Sequence, residues 1–253
     1  MFASPVTEEF KPIPVRRSPG LVGSLLFRLR LLADLQLLTL VRFLKPRLAT
    51  LRGSVLDVGC GEMPFRALLG KDAVYTGIDV KSATAFGMGV SAEIVTFDGS
   101  NIPFPDADFD HVLCTEVLEH VADPAALVAE MRRMLRPGGT LILTVPFSAR
   151  VHHAPHDFHR FTCFALANLF KDFSHVDIVE RGDDLAVISN KLIAVAARLL
   201  RPRPLVALVC RLPVFIILAP FVIAALCVAQ LSLLFGWGSR MDPLGYAVTA
   251  VKR

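Results

Sequence analysis

Cysteine is scarce in this sequence, and the few cysteines that it has match neither a metal site nor a disulfide framework. The five are Cys60, Cys114, Cys163, Cys210 and Cys227. Cysteines that bind metal occur in closely spaced sets, and disulfide frameworks are typical of small secreted domains. We therefore expect reduced, small apolar residues in a reducing compartment.

The start of the chain also lacks the pattern of a secretory signal peptide. Residues 1–18 are polar and interrupted by prolines, and the apolar region after them contains Arg28, Arg30 and Asp34. A signal peptide needs an uninterrupted apolar stretch of about 7–15 residues. We expect no signal peptide, a mobile or extended tail over residues 1–18, and a location at the cytoplasmic face of the membrane.

Leu212–Ser239 contains no charged residue. This run is longer than the roughly 20 apolar residues that a transmembrane helix needs. Elsewhere charge is uneven. Residues 1–53 hold nine Lys/Arg and three Asp/Glu, residues 54–184 hold ten and nineteen, and residues 185–253 hold eight and one. Both basic arms are apolar, and neither interleaves aromatic residues with its charges, which favours anionic lipid headgroups over nucleic acid. We expect an anionic membrane surface as a partner and no nucleic acid.

Short apolar segments that end in an acid or a glycine follow one another through the acidic centre. Strands are predicted at Val55–Val58 before Gly59-Cys60-Gly61, at Tyr75–Asp79, at Ile94–Phe97 before Asp98-Gly99, and at Phe109–Glu116. Asp79 follows Asp57 by 22 residues, near the offset of about 20 at which an acid meets ribose hydroxyls in βαβ nucleotide sites. Ligands of open α/β sheets bind at the carboxyl ends of the strands, so the sequence predicts a nucleotide-like ligand there.

Together with Cys114–His120 and Leu135–Thr140, these segments resemble the ordered motifs of class I S-adenosylmethionine-dependent methyltransferases. The nearest resemblance is to the bacterial branch that includes quinone- and lipid-modifying enzymes, and it covers about residues 54–184 and the extreme C-terminus. One departure is the missing third glycine of the loop, which affects its local shape. The resemblance implies an α/β, Rossmann-like fold with a seven-stranded, mostly parallel sheet, helices on both faces, and S-adenosyl-L-methionine as the cofactor.

The same resemblance implies which residues meet the cofactor. The loop backbone is expected at the methionyl end, Asp79 at the ribose, and Asp98 near the adenine. Asp57 is expected to hold the loop or the methionyl ammonium, with a purely structural role as an equal alternative. The full predicted set is Asp57, Gly59, Cys60, Gly61, Asp79, Val80, Asp98, Gly99 and Cys114.

We expect Arg136–Gly139 to end a helix and the fifth strand to run over Thr140–Pro146. Four of the seven histidines lie between residues 152 and 161, directly after that strand. This segment resembles the Pro-His-Asp-Phe-x-Arg-Phe/Tyr-Thr element of the same branch. No metal is implied there, although imidazoles also cluster at metal sites. We predict His152, His153 and His156 as catalytic candidates, one of them a general base. Glu116, His159 and Arg160 are predicted to bind substrate, with an Asp157–Arg160 pair shaping the loop and His120 packing on a helix.

Two helices, over about Leu21–Leu32 and Asp34–Leu44, are predicted before the sheet, either capping the cofactor edge or lying on the membrane. Asp123 and Pro124 are expected to start another helix. A last strand at Gly245–Val251 is expected to pair with Val176–Glu180, which makes residues 185–243 an apolar helical insertion. Pro213 and Pro220 are expected to interrupt it, which favours a monotopic or re-entrant hairpin in one leaflet.

The predicted organisation is therefore a basic N-terminal tail with helices (1–53), a methyltransferase core (54–184), the membrane-associating insertion (185–243) and the last strand (244–253). The leading hypothesis is methyl transfer to a lipophilic or membrane-held acceptor, such as a quinone precursor, a polyprenyl-linked sugar or a lipid. One alternative is a soluble small-molecule methyltransferase in which the insertion forms a homodimer interface. The other is a cofactor-binding scaffold without transfer activity.

Overall fold

The computed structural model describes residue 15 and residues 20–80, 92–201 and 205–253, with the backbone alone for residues 205–210. Apart from Val15, the predicted tail lies outside the described residues. The helices are α1 (Gly20–Ala33), α2 (Leu35–Leu48), α3 (Pro124–Met134), α4 (Cys163–Leu169), α5 (Asp184–Leu199) and α6 (Leu205–Phe235). The strands are β1 (Gly53–Val58), β2 (Ala73–Val80), β3 (Ile94–Phe97), β4 (Phe109–Thr115), β5 (Leu135–Pro146), β6 (His175–Arg181) and β7 (Gly245–Val251).

The seven strands form one sheet in the order β3-β2-β1-β4-β5-β7-β6. Neighbouring strands from β3 through β5 pair in parallel, whereas β7 runs antiparallel to both β5 and β6. Strand order reverses beside β1 and β4, so their carboxyl ends flank the switch point at which such sheets bind ligands. The prediction of a Rossmann-like sheet with a single antiparallel strand is confirmed.

Helix α3 begins where the sequence predicted. The Asp123 side chain accepts a hydrogen bond from the Ala126 N–H, and Pro124 occupies the first turn, where its missing N–H costs nothing. The prediction that the fifth strand starts at Thr140 was wrong. β5 starts at Leu135, opposite Phe109, and its register shifts before Thr140 meets His111. Residues 136–139 therefore form a bulge within the strand and do not separate a helix from it.

The two N-terminal helices differ in how much of each is buried. In α2 the buried side chains include Leu37, Leu40, Leu44 and Leu48, and the helix continues through Pro46. In α1 the only buried residue is Gly23. The leucines that α1 carries are largely exposed, with Leu25 at 58% and Leu29 at 52%. The second helix is therefore part of the core, and the first presents an apolar surface outward.

The insertion is a pair of helices, α5 and α6, between the two antiparallel strands. The expectation that Pro213 and Pro220 break the apolar run was wrong, because both lie inside the single helix α6. An interior proline removes one backbone hydrogen bond and can kink a helix without ending it. The hairpin is therefore formed by α5 with α6, and not within residues 212–239.

The second half of α6 is anchored to the protein. Ser232 and Ala229 are fully buried there, and the Ser232 hydroxyl donates to Asp183 Oδ2 at 2.6 Å, while Asp183 Oδ1 caps α5 at Ala186 N. In the part of the first half whose side chains are described, Ile216 (61%) and Ile217 (68%) are exposed. Arg211–Phe235 is long and apolar enough to cross a membrane by length and composition alone, and 6% of its most apolar window is buried.

Candidate active site

A cavity of about 630 Å³ opens at the carboxyl ends of β1 and β4. It is of the size that proteins use for small-molecule ligands. Its walls come from α1, α2, the loop after β1, the ends of β4 and β5, and α5. The residues that bear on the chemistry are Asp57, Gly59, Cys60, Gly61, Thr115, Glu116, His120, Arg150, His152 and His153.

The loop after β1 is built from glycine for steric reasons. Gly59 has a φ of +71°, and a Cβ at this position would lie 2.4 Å from Val117 Cγ2. The Gly61 N–H donates to Asp79 Oδ2 at 2.7 Å, and the Val80 N–H donates to Asp79 Oδ1 at 2.7 Å. Asp79 thus joins the end of β2 to the loop, and burial raises its pKa. The structure brings Asp79 and Gly59–Gly61 together beside the cavity.

Asp57 lines the cavity as a buried acid with half of its hydrogen-bonding capacity unused. The Tyr75 hydroxyl donates to Asp57 Oδ2 at 2.7 Å, whereas Oδ1 has no hydrogen-bond partner among the described residues. Burial raises the pKa of Asp57 to about 7, although the hydrogen bond from Tyr75 acts in the opposite direction. A buried acceptor without a partner is costly unless a ligand supplies a donor. This acid and the bare glycine loop fit a ligand with an ammonium group, such as the methionyl end of the predicted cofactor.

The raised pKa predicts a specific pH dependence of stability. The folded-state pKa of Asp57 is about 7 and lies above the 3.8 of the unfolded chain. The protonated carboxyl therefore contributes fully to the free energy of unfolding below pH 3.8, and this contribution is lost as the pH rises through 7. The difference corresponds to at most about 4 kcal/mol in the free energy of unfolding. Asp57→Asn is expected to remove this part of the slope, as measured by urea unfolding of the ligand-free protein between about pH 5 and pH 8. Equal slopes of the free energy of unfolding against pH in the variant and in the wild type would contradict the assignment. Asp72→Asn, which changes an exposed acid, is the control and should keep the wild-type slope.

The remaining predicted cofactor residues lie near the same edge with different exposure. Cys114 is fully buried at the end of β4, and burial raises its thiol pKa. Asp98 is exposed, and its carboxylate accepts from the Ser100 and Asn101 N–H groups, each at 2.7 Å. These bonds lower the pKa of Asp98 to about 2. Asp98 and Gly99 thus form a turn beyond β3, and contact of Asp98 with adenine stays a prediction.

The histidine segment divides between the cavity wall and the surface. His152 and His153 line the cavity, whereas His156, His159 and Arg160 do not. Arg160 donates to both carboxylate oxygens of Asp157, at 2.6 Å and 2.8 Å. Asp157 in turn accepts from the His152 N–H at 2.9 Å. Arg160 therefore shapes the loop that presents His152, as the loop-shaping interpretation expected, and the cavity does not reach the other two side chains.

Two contributors to this region were not predicted from the sequence. Glu119 is fully buried behind the histidines, and His120 lines the cavity and does not serve only to pack a helix. Burial lowers the pKa of His120 to about 4, so its ring is neutral near pH 7. An acid between Leu118 and His120 was a detectable signal, but the prediction chose Glu116, the acid directly after the fourth strand. Glu116 does line the cavity, held by Arg181 Nη2 at 2.7 Å.

Helices outside the sheet complete the cavity. Arg30, Asp34 and Leu37 contribute from the N-terminal helices, and Lys191 and Ala194 contribute from α5. Placing α1 and α2 at this edge supports the expectation that they cap it. Because α5 belongs to the apolar insertion, one wall of the cavity is continuous with the helix pair whose outer surface is exposed.

Comparison with known proteins agrees with this geometry. The family described as "Methyltransferase domain" matches residues 56–143. The ubiquinone biosynthesis O-methyltransferase of Thiobacillus denitrificans is 38% identical over 95 residues, covering 34% of this chain and 40% of that protein. The 2-methyl-6-phytyl-1,4-hydroquinone methyltransferase of Synechocystis sp. is 37% identical over 98 residues, covering 36% and 31%. The chain thus aligns with less than half the length of either relative.

Solved structures confirm the fold. A SAM-dependent methyltransferase of Thermotoga maritima superposes with a TM-score of 0.51 at 15% identity, covering 91% of this chain and 96% of that one. The cyclase SpnF superposes with a TM-score of 0.50 at 21% identity, covering 85% and 80%, so the fold by itself does not determine the reaction. The family match and the ordered motifs go further than the fold. Residues 56–143 match the methyltransferase-domain family, and the sheet and the cavity described above agree with that match.

Proposed function

We propose that this protein transfers the methyl group of S-adenosylmethionine to a hydroxyl oxygen of a lipophilic, quinone-like acceptor at a membrane surface. The observation that carries the proposal is that the glycine loop, His152, His153 and α5 all line one cavity. By their printed names, one of the relatives above is an O-methyltransferase of ubiquinone biosynthesis and the other is a methyltransferase of a phytyl hydroquinone. A phytyl hydroquinone combines ring hydroxyls with an apolar chain, which suits a cavity whose outer walls are apolar helices.

The residues at the base of the cavity would hold the cofactor. Asp57 would pair with its ammonium group through the unpartnered Oδ1, and the loop at Gly59 would allow close backbone approach. Asp79 would accept from the ribose hydroxyls. When bound, the cofactor supplies an electrophilic methyl group on a sulfonium. The protein's task is then to align an acceptor oxygen with the carbon–sulfur bond and to take up a proton.

His153 is the residue best placed for that proton. It lines the cavity in a strained backbone conformation with a φ of +55°. Such strain costs about 1–3 kcal/mol and recurs at functional sites. The acceptor oxygen forms its bond to the methyl carbon as the carbon–sulfur bond breaks, and its proton passes to the imidazole of His153. The products are a methyl ether, a neutral thioether and an imidazolium that releases its proton to solvent.

Turnover by the His153→Ala variant tests this role. General-base catalysis contributes about 10²–10⁴-fold, so the turnover number should fall by that order while cofactor affinity is unchanged. The assay incubates the protein with isotopically labelled cofactor and a bacterial lipid extract, and detects labelled products by mass spectrometry. His175→Ala, an exposed histidine on β6, is the control. Full turnover by His153→Ala would contradict the base assignment, and no labelled lipid with the wild type would contradict the acceptor class.

The membrane part of the proposal is supported by the exposed apolar side chains of α1 and α6. Their exposed members are Leu21, Val22, Leu25, Leu26, Leu29, Leu32, Leu212, Val214, Ile216, Ile217, Phe221, Ile223, Val228, Leu231, Leu234 and Phe235. Soluble monomers rarely expose contiguous apolar surface on this scale, and such patches mark interaction sites. Arg28 on α1 and Arg42 on α2 are also exposed, which favours an anionic bilayer.

Flotation with phosphatidylglycerol vesicles tests this surface. Wild-type protein should float with the vesicles, and Ile217→Asp should lose at least tenfold in binding, because a charge there opposes insertion into apolar lipid. Val74→Asp is a matched control, since Val74 is as exposed as Ile217, at 68%, but lies on β2. A protein that stays soluble without detergent as a dimer, and does not float, would contradict the membrane proposal in favour of a dimer interface.

A further inference from the structure

Glu119, His120 and His152 place one carboxylate and two imidazoles at a single point of the cavity wall. One ligand atom from each lies within 4.8 Å of the others. His120 Nε2 is 3.6 Å and His152 Nε2 is 3.9 Å from Glu119 Oε1. Ligands at about 2.0–2.1 Å from a tetrahedral metal ion lie about 3.4 Å apart, so these separations are close to those of a metal site.

The carboxylate in this cluster is unusual because it is completely buried and unsatisfied. Glu119 has no exposed surface, and neither of its oxygens has a hydrogen-bond partner among the described residues. A buried acid in this condition is costly, and native proteins satisfy such groups by a partner, a water or an ion. Its Oε1 lies toward the two ring nitrogens, so a cation between them would satisfy it.

Hydrogen bonds at the opposite ring nitrogens fix both imidazoles. His120 Nδ1 lies 2.7 Å from the His156 carbonyl oxygen, which can only accept. His152 Nδ1 lies 3.1 Å from the Arg150 carbonyl oxygen and 3.3 Å from Asp157 Oδ2. Each Nδ1 therefore carries the hydrogen, and each Nε2 presents a lone pair toward Glu119. Metal-binding histidines are characteristically held in this way by a carbonyl or a carboxylate.

We propose that Glu119, His120 and His152 bind a divalent transition-metal ion of the zinc type, with its open coordination positions facing the cavity. Two imidazoles and one carboxylate are a ligand set for such ions, and three protein ligands leave room for an oxygen ligand. That oxygen is the acceptor's hydroxyl, a part that rests on the proposed function. The metal would hold the oxygen next to His153, whose ring centroid is 5.2 Å from that of His120.

Metal binding is measured without cofactor or acceptor, so its failure is separable from failure of the proposed methyl transfer. Untagged protein is stripped with a chelator and titrated with Zn²⁺ by calorimetry, and with Co²⁺ by visible absorption, which reports tetrahedral coordination. The wild type should bind one equivalent. Glu119→Gln and His152→Ala should each weaken binding at least tenfold, because each removes one of three ligands.

Two further comparisons keep the test decisive. Glu119→Gln preserves side-chain volume and replaces a buried acid that has no hydrogen-bond partner among the described residues, so it is expected to fold. Its thermal transition without metal serves as the check. His175→Ala, which removes an exposed histidine on β6, should bind like the wild type. Weak or absent binding by the wild type, or equal binding by all four proteins, would overturn the proposal. Metal binding without methyl transfer would uphold the site and contradict only its link to the acceptor.

Discussion

Replacing Asp79 by alanine is expected to weaken binding of S-adenosylmethionine at least tenfold. Asp79 stands at the end of β2 and accepts from the Gly61 and Val80 N–H groups, each at 2.7 Å. Its removal takes away the acid for the ribose hydroxyls and loosens the glycine loop at the methionyl end. One lost charge-assisted hydrogen bond of about 1.4 kcal/mol already corresponds to tenfold in affinity.

Calorimetric titration with the cofactor measures this effect. Asp72→Ala is the matched control, because Asp72 is an exposed acid just before the same strand, 3.9 Å from Arg52. Asp79→Asn separates the two roles, since an amide oxygen can still accept from the loop while the charge is lost. Unchanged affinity in Asp79→Ala would remove Asp79 from the cofactor site.

Replacing Arg181 by methionine is expected to lower the free energy of unfolding by about 3 kcal/mol, the low end of the range for breaking a buried ion pair, because Glu116 is 30% exposed. Arg181 is 3% exposed. Its Nη2 donates to Glu116 Oε1 at 2.7 Å and to the Val145 carbonyl at 3.2 Å. Methionine fills similar space but leaves Glu116 and that carbonyl without their donor. The change also releases Glu116 into the cavity.

Urea unfolding of three variants tests this account of Arg181. Arg52→Met, which replaces an arginine whose side chain is 83% exposed, should stay within about 0.5 kcal/mol of the wild type. The double variant Arg181→Met/Glu116→Leu should recover part of the loss, because no unpaired charge is left behind. If Arg181→Met is as stable as Arg52→Met, then the pair does not support this edge of the sheet.

Local signals in the sequence predicted the fold well. A strand that ends in an acid or a glycine is set by neighbours along the chain, as at Asp57 and Asp79, and the same holds for the cap of α3 at Asp123. The mostly parallel sheet was implied by the family resemblance, because local patterns show where strands begin and end but not which strands pair. The effect of Pro213 and Pro220 was misjudged, because whether a proline ends a helix or only bends it depends on the packing of the flanking turns.

The site was predicted only where its residues follow strand ends. Arg181 lies 65 residues from Glu116, and Tyr75 lies 18 residues from Asp57, so neither pair shows in any local pattern. Glu119 is one of two acids in the segment Cys114–His120, and its burial becomes visible only when the histidine segment packs against it. Which histidines reach the cavity was equally undetermined, since the loop path is set by the Asp157–Arg160 pair.

The central claim is that the ends of β1 and β2 and the glycine loop form one cofactor site at the base of the acceptor cavity. Hydrogen–deuterium exchange of the wild-type protein with and without S-adenosylmethionine tests it most directly. Added cofactor should slow exchange in peptides that cover Asp57–Gly61 and Asp79–Val80, and leave β6 unchanged. Protection confined to regions away from the carboxyl ends of these strands, or no protection at saturating cofactor, would contradict the account.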